Sequence, residues 1–408
     1  MKKTYGNIIR IKAFLLAIAL FVPVGLVTVF ADPMPISEEG GVTSLDKADD
    51  VSTSLSLDCK SCILMEATTG KVLYESNADA ALPPASVTKI MTILLVMEAV
   101  KSGAASMDDS VSVSENAASM GGSQVYLEPG ETMTLEEMLK CVIIASANDA
   151  SVALAEHIAG SEEAFVARMN ERADELMMEN TNFVNTNGLD DAPDAESHLT
   201  SARDIALMSR ELIMNHPEIF EFTTVWMDSI RGGEFGLTNT NRLIRFYRGA
   251  TGLKTGSTSK AGFCISATAE RDGMPLIAVI MGSPTRDVRN EAAKTLLDHG
   301  YANYCIYTDE VASCDSVSVT GGIRDSVGTE HGSFASVLKK GMDKNVTCTV
   351  TLNESVAAPI TVGDTVGTVT YTLDGEIIGE IPVTATENVG KISYFGLIYK
   401  ILRGVLSK

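Results

Sequence analysis

Leu82-Pro83-Pro84-Ala85-Ser86-Val87-Thr88-Lys89-Ile90-Met91-Thr92 reads as a loop that turns abruptly into a buried helix. The two prolines suit the approach to a helix start, and Ile90-Met91-Thr92-Ile93-Leu94-Leu95 supplies the apolar run that follows. Ser86 and Lys89 stand three residues apart, so they share a helix face and their hydroxyl and amine can meet. A free serine is a weak nucleophile, and a neutral lysine beside it can take its proton. An ordinary lysine, with a pKa of about 10.4, leaves only about one amine in 10³ neutral at pH 7. Burial and a second cation must therefore disfavour its charged form by about 4 kcal/mol. The apolar run provides the burial. Alone, this spacing also describes a plain helix start with a surface lysine.

Two downstream segments carry complementary chemistry. Ser146-Ala147-Asn148 follows an apolar helix predicted over 138–144. A serine and an asparagine two residues apart on a loop can point together into a cleft, although both also favour ordinary helix ends. Lys254-Thr255-Gly256 falls on a predicted strand. A strand edge can pair with an extended peptide, Lys254 can supply charge, and Gly256 permits close approach. The same triplet also suits a turn between strands. Lys254 is the candidate second cation.

The chain has 408 residues, 45% hydrophobic and 21% charged, enough for two domains plus tails and too apolar for a disordered chain. Its net charge of −21 argues against nucleic acid, because phosphate contact needs a basic surface. The charge is uneven. Lys2, Lys3, Arg10 and Lys12 give residues 1–31 a charge of +4, and Lys391, Lys400, Arg403 and Lys408 give 391–408 the same, so the body between carries −29.

The basic start, the apolar run over 13–30, and Val29 and Ala31 before Asp32 read as an export signal. An uncleaved anchor is the alternative, since a run of about 18 residues is near the lower limit for spanning a bilayer. Either way the body lies outside the cytoplasm. At the other end, a helix would put Ile392, Phe395, Ile398, Leu402 and Val405 on one side. Ser393, Lys400, Arg403, Gly404 and Ser407 fall on the other, with no acid to balance them. Such a helix is expected in the interface of an anionic membrane, with packing on the preceding domain as the alternative. The seven cysteines are odd in number, so at least one is unpaired. Cys59-Lys60-Ser61-Cys62 has redox spacing but runs into an apolar strand, and is read as structural. The five histidines show no ligand spacing, so no metal and no cofactor is expected.

Outward from the first motif, strands are predicted at 62–65 and 71–74 around a turn at Thr69-Gly70. Helical periodicity runs from about 134 to 215, opened by a capping box of Thr134 and Glu137, with further helices at 170–178 and 202–214. Strands return at 250–254, 261–270 and 275–281, the last two joined at Asp272-Gly273, and a helix over 288–299 closes the domain. This order predicts an α+β body with helices packed on an antiparallel sheet. A Thr/Val/Gly-rich stretch with a hairpin signal at Asp374-Gly375 predicts a separate small all-β domain. The expected layout is a signal peptide (1–31), a flexible lead-in (32–55), a catalytic domain (56–304), a β-domain (305–386) and an amphipathic anchor helix (387–408).

The three motifs, in this order, form the combination known from class A β-lactamases and penicillin-binding proteins. The chain resembles the low-molecular-mass penicillin-binding proteins that act as D-alanyl-D-alanine carboxypeptidases. The likeness extends to Gly121-Gly122-Ser123, to Ser146-Ala147-Asn148-Asp149-Ala150 with Ala153-Leu154-Ala155-Glu156, and to Phe183-Val184-Asn185 with Gly188-Leu189. It also takes in residues 200–204 and Gly252-Leu253-Lys254-Thr255-Gly256 with Ala261-Gly262. The later β-domain and tail resemble that family's C-terminal domain and membrane anchor, with weaker motifs.

The resemblance implies a β-lactamase/penicillin-binding-protein-like fold and assigns roles. Ser86 would be the acylated nucleophile and Lys89 its general base. Ser146 and Lys254 would relay the proton to the leaving D-alanine, and Lys254 would help hold Lys89 neutral. Asn148 would bind the substrate amide. Backbone N–H groups of Ser86 and Ser257 would form the oxyanion hole beside Gly256. Thr255 would contact the terminal carboxylate. Arg289, placed relative to Leu296-Leu297 and Gly300, resembles the family's carboxylate-binding arginine, with Arg286 as competitor. Ala147 stands where many relatives have glycine, and Ser257 where many have a larger residue.

The implied reaction removes the terminal D-alanine from peptidoglycan stem peptides ending in D-Ala-D-Ala, with β-lactam antibiotics as acylating ligands. The implied place is the outer face of the bacterial cytoplasmic membrane or the cell wall, held through the C-terminal helix. A β-lactamase is one alternative, since Glu211-Leu212-Ile213-Met214-Asn215 loosely mimics the deacylating glutamate segment of those enzymes. A non-catalytic penicillin-binding wall protein is another, against which the intact trio of motifs speaks.

Overall fold

The computed structural model describes residues 55–191 and 194–406. The expected export signal and nearly all of the lead-in lie outside the described residues.

A first hairpin is made by β1 (Ser61–Glu66) and β2 (Val72–Ser76). Much later in the chain come β3 (Ala250–Thr258), β4 (Gly262–Arg271) and β5 (Met274–Ser283). They form one antiparallel sheet in the order β2-β1-β5-β4-β3, so the first hairpin joins the last strand and β3 is an edge. Alternation along β1 and β5 serves two cores. Ile63, Met65, Ile277, Val279 and Met281 face one, and Cys62, Leu64, Leu276, Ala278 and Ile280 the other.

The first core is covered by α1 (Lys89–Lys101), α2 (Leu135–Lys140), α3 (Asn148–Ala159), α4 (Glu162–Glu175) and α5 (Ala202–Asn215). The second is covered by α6 (Arg286–Asn303). The expected α+β class holds, with helices on both faces of the sheet. Two helices differ from their expected bounds. α4 begins at Glu162 rather than near Asn170, because Ser161 accepts the N–H of Ala164 and Glu162 and Glu163 suit a helix N-terminus. Its Phe165, Met169 and Ala173, four apart, then form the buried stripe. The helix expected over 138–144 is α-helical only to Lys140 and widens into a π-turn over Cys141–Ala145.

The C-terminal part is all β: β6 (Tyr304–Asp309), β7 (Ala312–Thr320), β8 (Ser326–His331), β9 (Phe334–Lys339), β10 (Val346–Leu352), β11 (Ser355–Ala357), β12 (Thr365–Leu373) and β13 (Glu376–Ala385). β6 pairs with β9, and the other six form a sheet in the order β10-β12-β13-β8-β7-β11. Asp374 and Gly375, both at positive φ, make the expected tight turn between β12 and β13. The core gathers valines around Tyr371, whose ring stacks on Phe334 at 3.9 Å and whose hydroxyl donates to Asp309 at 2.8 Å. A final helix, α7 (Tyr394–Leu406), leaves Tyr394, Phe395, Leu397, Ile398, Tyr399 and Leu402 exposed. The segment alone offers no acid to balance its polar face, but the fold supplies one, since Lys400 pairs with Asp325 of the β-domain. No described helix is long and apolar enough to cross a membrane. All seven cysteines are free thiols.

Candidate active site

A short 3-10 turn over Ala85–Thr88 presents Ser86 just before α1, with Ala85 at a φ of 50°. Lys89 opens α1 and is fully buried. Its Nζ lies 3.0 Å from Ser86 Oγ, 2.6 Å from Asn148 Oδ1 and 2.9 Å from the Asn187 carbonyl oxygen. Among the described residues no carboxylate touches it. Asp149, next to Asn148, is turned to the backbone N–H groups of Val125, Leu127 and Ala150. Burial, and then the charge of Lys254, hold the Lys89 amine well below the ordinary lysine range, offset only in part by Asp149.

The π-turn delivers the second motif. It ends at Ser146 in the left-handed region, with φ 63° and ψ 32°, a conformation that a non-glycine residue keeps only when its surroundings enforce it. The loop is pinned by Ala147 N–H to the Cys141 carbonyl (3.1 Å) and Asn148 N–H to the Ser123 carbonyl (2.7 Å). The Asn148 side chain is held at both ends, by Lys89 and by its own donation to the Gly121 carbonyl at 2.7 Å.

The third motif lies on the edge strand β3. Lys254 pairs with Ser266 of β4 in register and is 1% exposed. Its Nζ donates to Ser146 Oγ at 2.7 Å and to the Thr255 carbonyl at 3.0 Å. Burial, and then the Arg289 guanidinium, lower its pKa to about 7. Gly256 lets β3 press against the serine turn, since a methyl group there would stand 2.8 Å from Ser86 N. Arg289 is buried on α6, where desolvation and then Arg286 bring its pKa down to about 10. It donates to the Cys264 carbonyl (3.3 Å) and through Nη2 to Asn290 Oδ1 (2.8 Å).

Ser86, Ser146, Thr255, Gly256, Ser257 and Arg289 line one cavity of about 140 Å³, together with Ser123, Thr240 and Arg286. Lys89 and Lys254 reach Ser86 and Ser146 from behind, and Asn148 holds Lys89. All nine expected site residues thus come together, and both candidate arginines border the same space, Arg289 buried and Arg286 exposed.

Two residues were not anticipated. Asn187 acts through its carbonyl, which motif spacing does not reveal. Thr240, held by its N–H to the Ile144 carbonyl, places its hydroxyl 2.8 Å from that of Thr255 and lines the cavity. Glu211, the residue that would have suggested a β-lactamase, is bound by Arg172 at 2.6 Å in a network with Glu98 and Glu175, and does not line the cavity.

Residues 47–285 match the family described as D-alanyl-D-alanine carboxypeptidase, and residues 309–391 match the C-terminal domain of penicillin-binding protein 5. The chain is 43% identical over 364 residues to the D-alanyl-D-alanine carboxypeptidase DacF of Bacillus subtilis (strain 168), covering 87% of this chain and 92% of that protein. It is 35% identical over 355 residues to DacC of Escherichia coli (strain K12), another D-alanyl-D-alanine carboxypeptidase, covering 84% and 87%. The crystal structure of penicillin binding protein 5 from Haemophilus influenzae matches with a TM-score of 0.73 at 31% identity, over 83% of this chain and 99% of that one.

Proposed function

The chain belongs to the D-alanyl-D-alanine carboxypeptidase family and is a serine DD-carboxypeptidase; from that premise we propose that Ser86 is its nucleophile and Lys89 the base that activates it. One observation carries this assignment. A neutral amine has two N–H groups and one lone pair. The Asn148 and Asn187 carbonyl oxygens take the two N–H groups, which leaves the lone pair for the Ser86 hydroxyl proton.

In the proposed reaction the stem peptide lies along the free edge of β3. Its terminal carboxylate meets Thr255 and Arg289, and Asn148 holds the amide before the scissile bond. Ser86 Oγ attacks the carbonyl of the penultimate D-alanine as its proton passes to Lys89. The oxyanion is received by the N–H groups of Ser86 and Ser257, a contribution of about 2.7–4 kcal/mol per donor. The hydrogen-bonded pair of Lys254 and Ser146 delivers a proton to the departing amine, D-alanine leaves, and water hydrolyses the acyl-enzyme. A β-lactam presents a strained amide to the same serine. The catalytic machinery occupies 56–304, with the β-domain (305–386) as a spacer. Residues 1–31 direct export, and the exposed aromatic and aliphatic side chains of α7 support its docking in a membrane interface.

Time-resolved labelling with fluorescent penicillin, paired with mass spectrometry of a pentapeptide, tests the reading. The expected result is a slowly released covalent adduct and loss of one alanine, both absent in Ser86→Ala. Equal activity in that variant overturns the mechanism. Fast penicillin turnover points to a β-lactamase, and absence of labelling to a non-catalytic wall protein.

A further inference from the structure

Behind the serine turn lie two buried side chains that the reaction above does not use. Thr88 is fully buried in the turn itself, and His198, 110 residues further along the chain, is 3% exposed. Backbone bonds fix the segment around His198. Thr200 exchanges hydrogen bonds with Leu82 at 2.8 and 3.0 Å, and Leu199 does so with Asn182 at 2.9 and 3.1 Å. The segment thereby braces the loop that enters the serine turn against the loop that carries Asn187.

The donors and acceptors have only one consistent arrangement. Thr88 has a single hydroxyl proton, which goes to the Ala85 carbonyl oxygen at 2.8 Å. Its oxygen lies 2.8 Å from His198 Nε2, so the imidazole must donate there. The other ring nitrogen requires the same. Nδ1 accepts the Val184 N–H at 3.0 Å and carries no proton, which leaves the proton of the neutral ring on Nε2. Burial keeps the ring neutral at pH 7, pushing its pKa down to about 4. One chain of donation therefore runs from His198 through Thr88 to Ala85.

That chain ends on one half of a peptide unit whose other half faces the reaction. The Ala85 oxygen and the Ser86 N–H belong to the same trans amide, planar and pointing opposite ways. Ala85 holds a φ of 50°, a left-handed conformation that an alanine keeps only where its surroundings enforce it. Gly188 closes on the oxygen side, since a methyl there would stand 1.9 Å from the Ala85 oxygen and 2.8 Å from Thr88 Oγ1. On the nitrogen side, Ser86 N lies against Gly256 of β3. Hydrogen bonds in series polarise one another, so donation to the carbonyl makes the N–H of the same amide a stronger donor.

We propose that His198 is a positioning residue for the oxyanion hole: through Thr88 it holds and polarises the Ala85–Ser86 peptide, whose N–H receives the developing negative charge. The proposal rests on the reading above, in which Ser86 is the nucleophile and its N–H an oxyanion donor. His198 and Thr88 touch no reacting atom. Their action passes entirely through the peptide plane.

Two substitutions separate the two contacts of the ring. His198→Gln places a carboxamide nitrogen near the Nε2 position and still donates to Thr88, whereas His198→Asn offers an oxygen to Val184 and stops short of Thr88. In the whole enzyme, stopped-flow labelling with fluorescent penicillin separates the limiting acylation rate from the affinity of the initial complex. A boronic acid that adds to Ser86 mimics the tetrahedral intermediate, and melting curves report folding. His198→Asn should lower the limiting rate about tenfold, less than the loss of a whole oxyanion donor, and weaken boronate binding by the same factor, with initial affinity unchanged. His198→Gln should recover most of both losses. Thr88→Val should lose at least as much as His198→Asn, Thr88→Ser should recover it, and the double variant His198→Asn, Thr88→Val should lose no more than Thr88→Val alone. If His198→Asn does not fold, the two Thr88 variants decide. An unchanged acylation rate in the folded variants overturns the proposal, and so does a loss that falls on initial affinity, spares the boronate, or is not recovered by glutamine. Failure of the underlying reading has a separate signature: Ser86→Ala is still labelled by penicillin.

Discussion

Around Ser86 the interior of the molecule holds Lys89, Lys254, Arg289, Asn148 and Ser146, none more than 4% exposed. The interior of the β-domain is built instead from Val317, Val327, Val366, Val369 and Val383 around Tyr371. Its buried polar groups are neutral or locally matched, as where Thr329 donates to the Asp315 carbonyl at 2.7 Å. Three basic side chains, Lys89, Lys254 and Arg289, lie buried in the catalytic half with no carboxylate within ion-pair distance, among the described residues. Such groups lower stability, and only the large apolar cores on both faces of the sheet can hold them. Reactivity and stability thus pull against each other in one half of the molecule and not in the other.

The largest expected effect sits on the reactive side. Ser86→Ala should cut penicillin acylation by at least about 10⁴-fold without unfolding the chain. Lys89→Met should cost about 10³-fold in the same assay yet raise the melting temperature, because a buried amine is replaced by an apolar chain of similar length. A lower melting temperature would break the contrast drawn here.

The next effect is a pH dependence. Lys254 titrates near 7 in the folded protein, against an ordinary value of 10.5. Between those values the unfolded chain binds the extra proton, so the contribution of Lys254 to stability should rise as pH is raised from about 7 to about 10.5, by on the order of 5 kcal/mol. Denaturant titrations at both ends of that window should show the rise, and Lys254→Met should lessen it, because Lys89, also held below the ordinary lysine range, supplies the remainder. Arg289→Ala should lower kcat/KM on a D-Ala-D-Ala peptide by about 10²-fold, and Arg286→Ala by only a few-fold, because one is buried and the other solvated. The smallest effect belongs to the β-domain. Tyr371→Phe removes the hydrogen bond to Asp309 and should cost about 1 kcal/mol of stability while leaving acylation at its wild-type rate.

The motifs were legible because each is contiguous. Ser86 and Lys89 need only one helical turn to meet, and Ser146 and Asn148 only a loop. Their convergence from three distant segments was visible through family likeness, not through spacing. What local patterning did not convey is what the folded chain alone creates. The Asn187 backbone oxygen is common to every residue type and becomes specific only where Gly188 presses against the serine turn, leaving 1.9 Å between a would-be methyl and the Ala85 oxygen. Thr240 looks like any loop threonine until β3 passes beside it. The early start of α4 was readable from Ser161, Glu162 and Glu163 but was masked by a polar sequence, Glu162-Glu163-Ala164, that lacks obvious apolar periodicity. The Asp325 partner of Lys400 lies too far along the chain to be inferred from the helix itself.

The strand order carries a consequence in time. β1 is finished early, but its neighbour β5 ends only at Ser283, and residues 254–257 and Arg289 are the last of the site residues to be made. A ribosome releasing the chain from its N-terminus must let out nearly three hundred residues before the central sheet can close. Until then both edges of the hairpin of β1 and β2 are open, and Ser86 lacks the edge strand β3 that presses against its turn. The serine turn and the strand that packs on it thus come together only when the first strand finds the last, so the appearance of penicillin capture during synthesis would time the closing of the sheet.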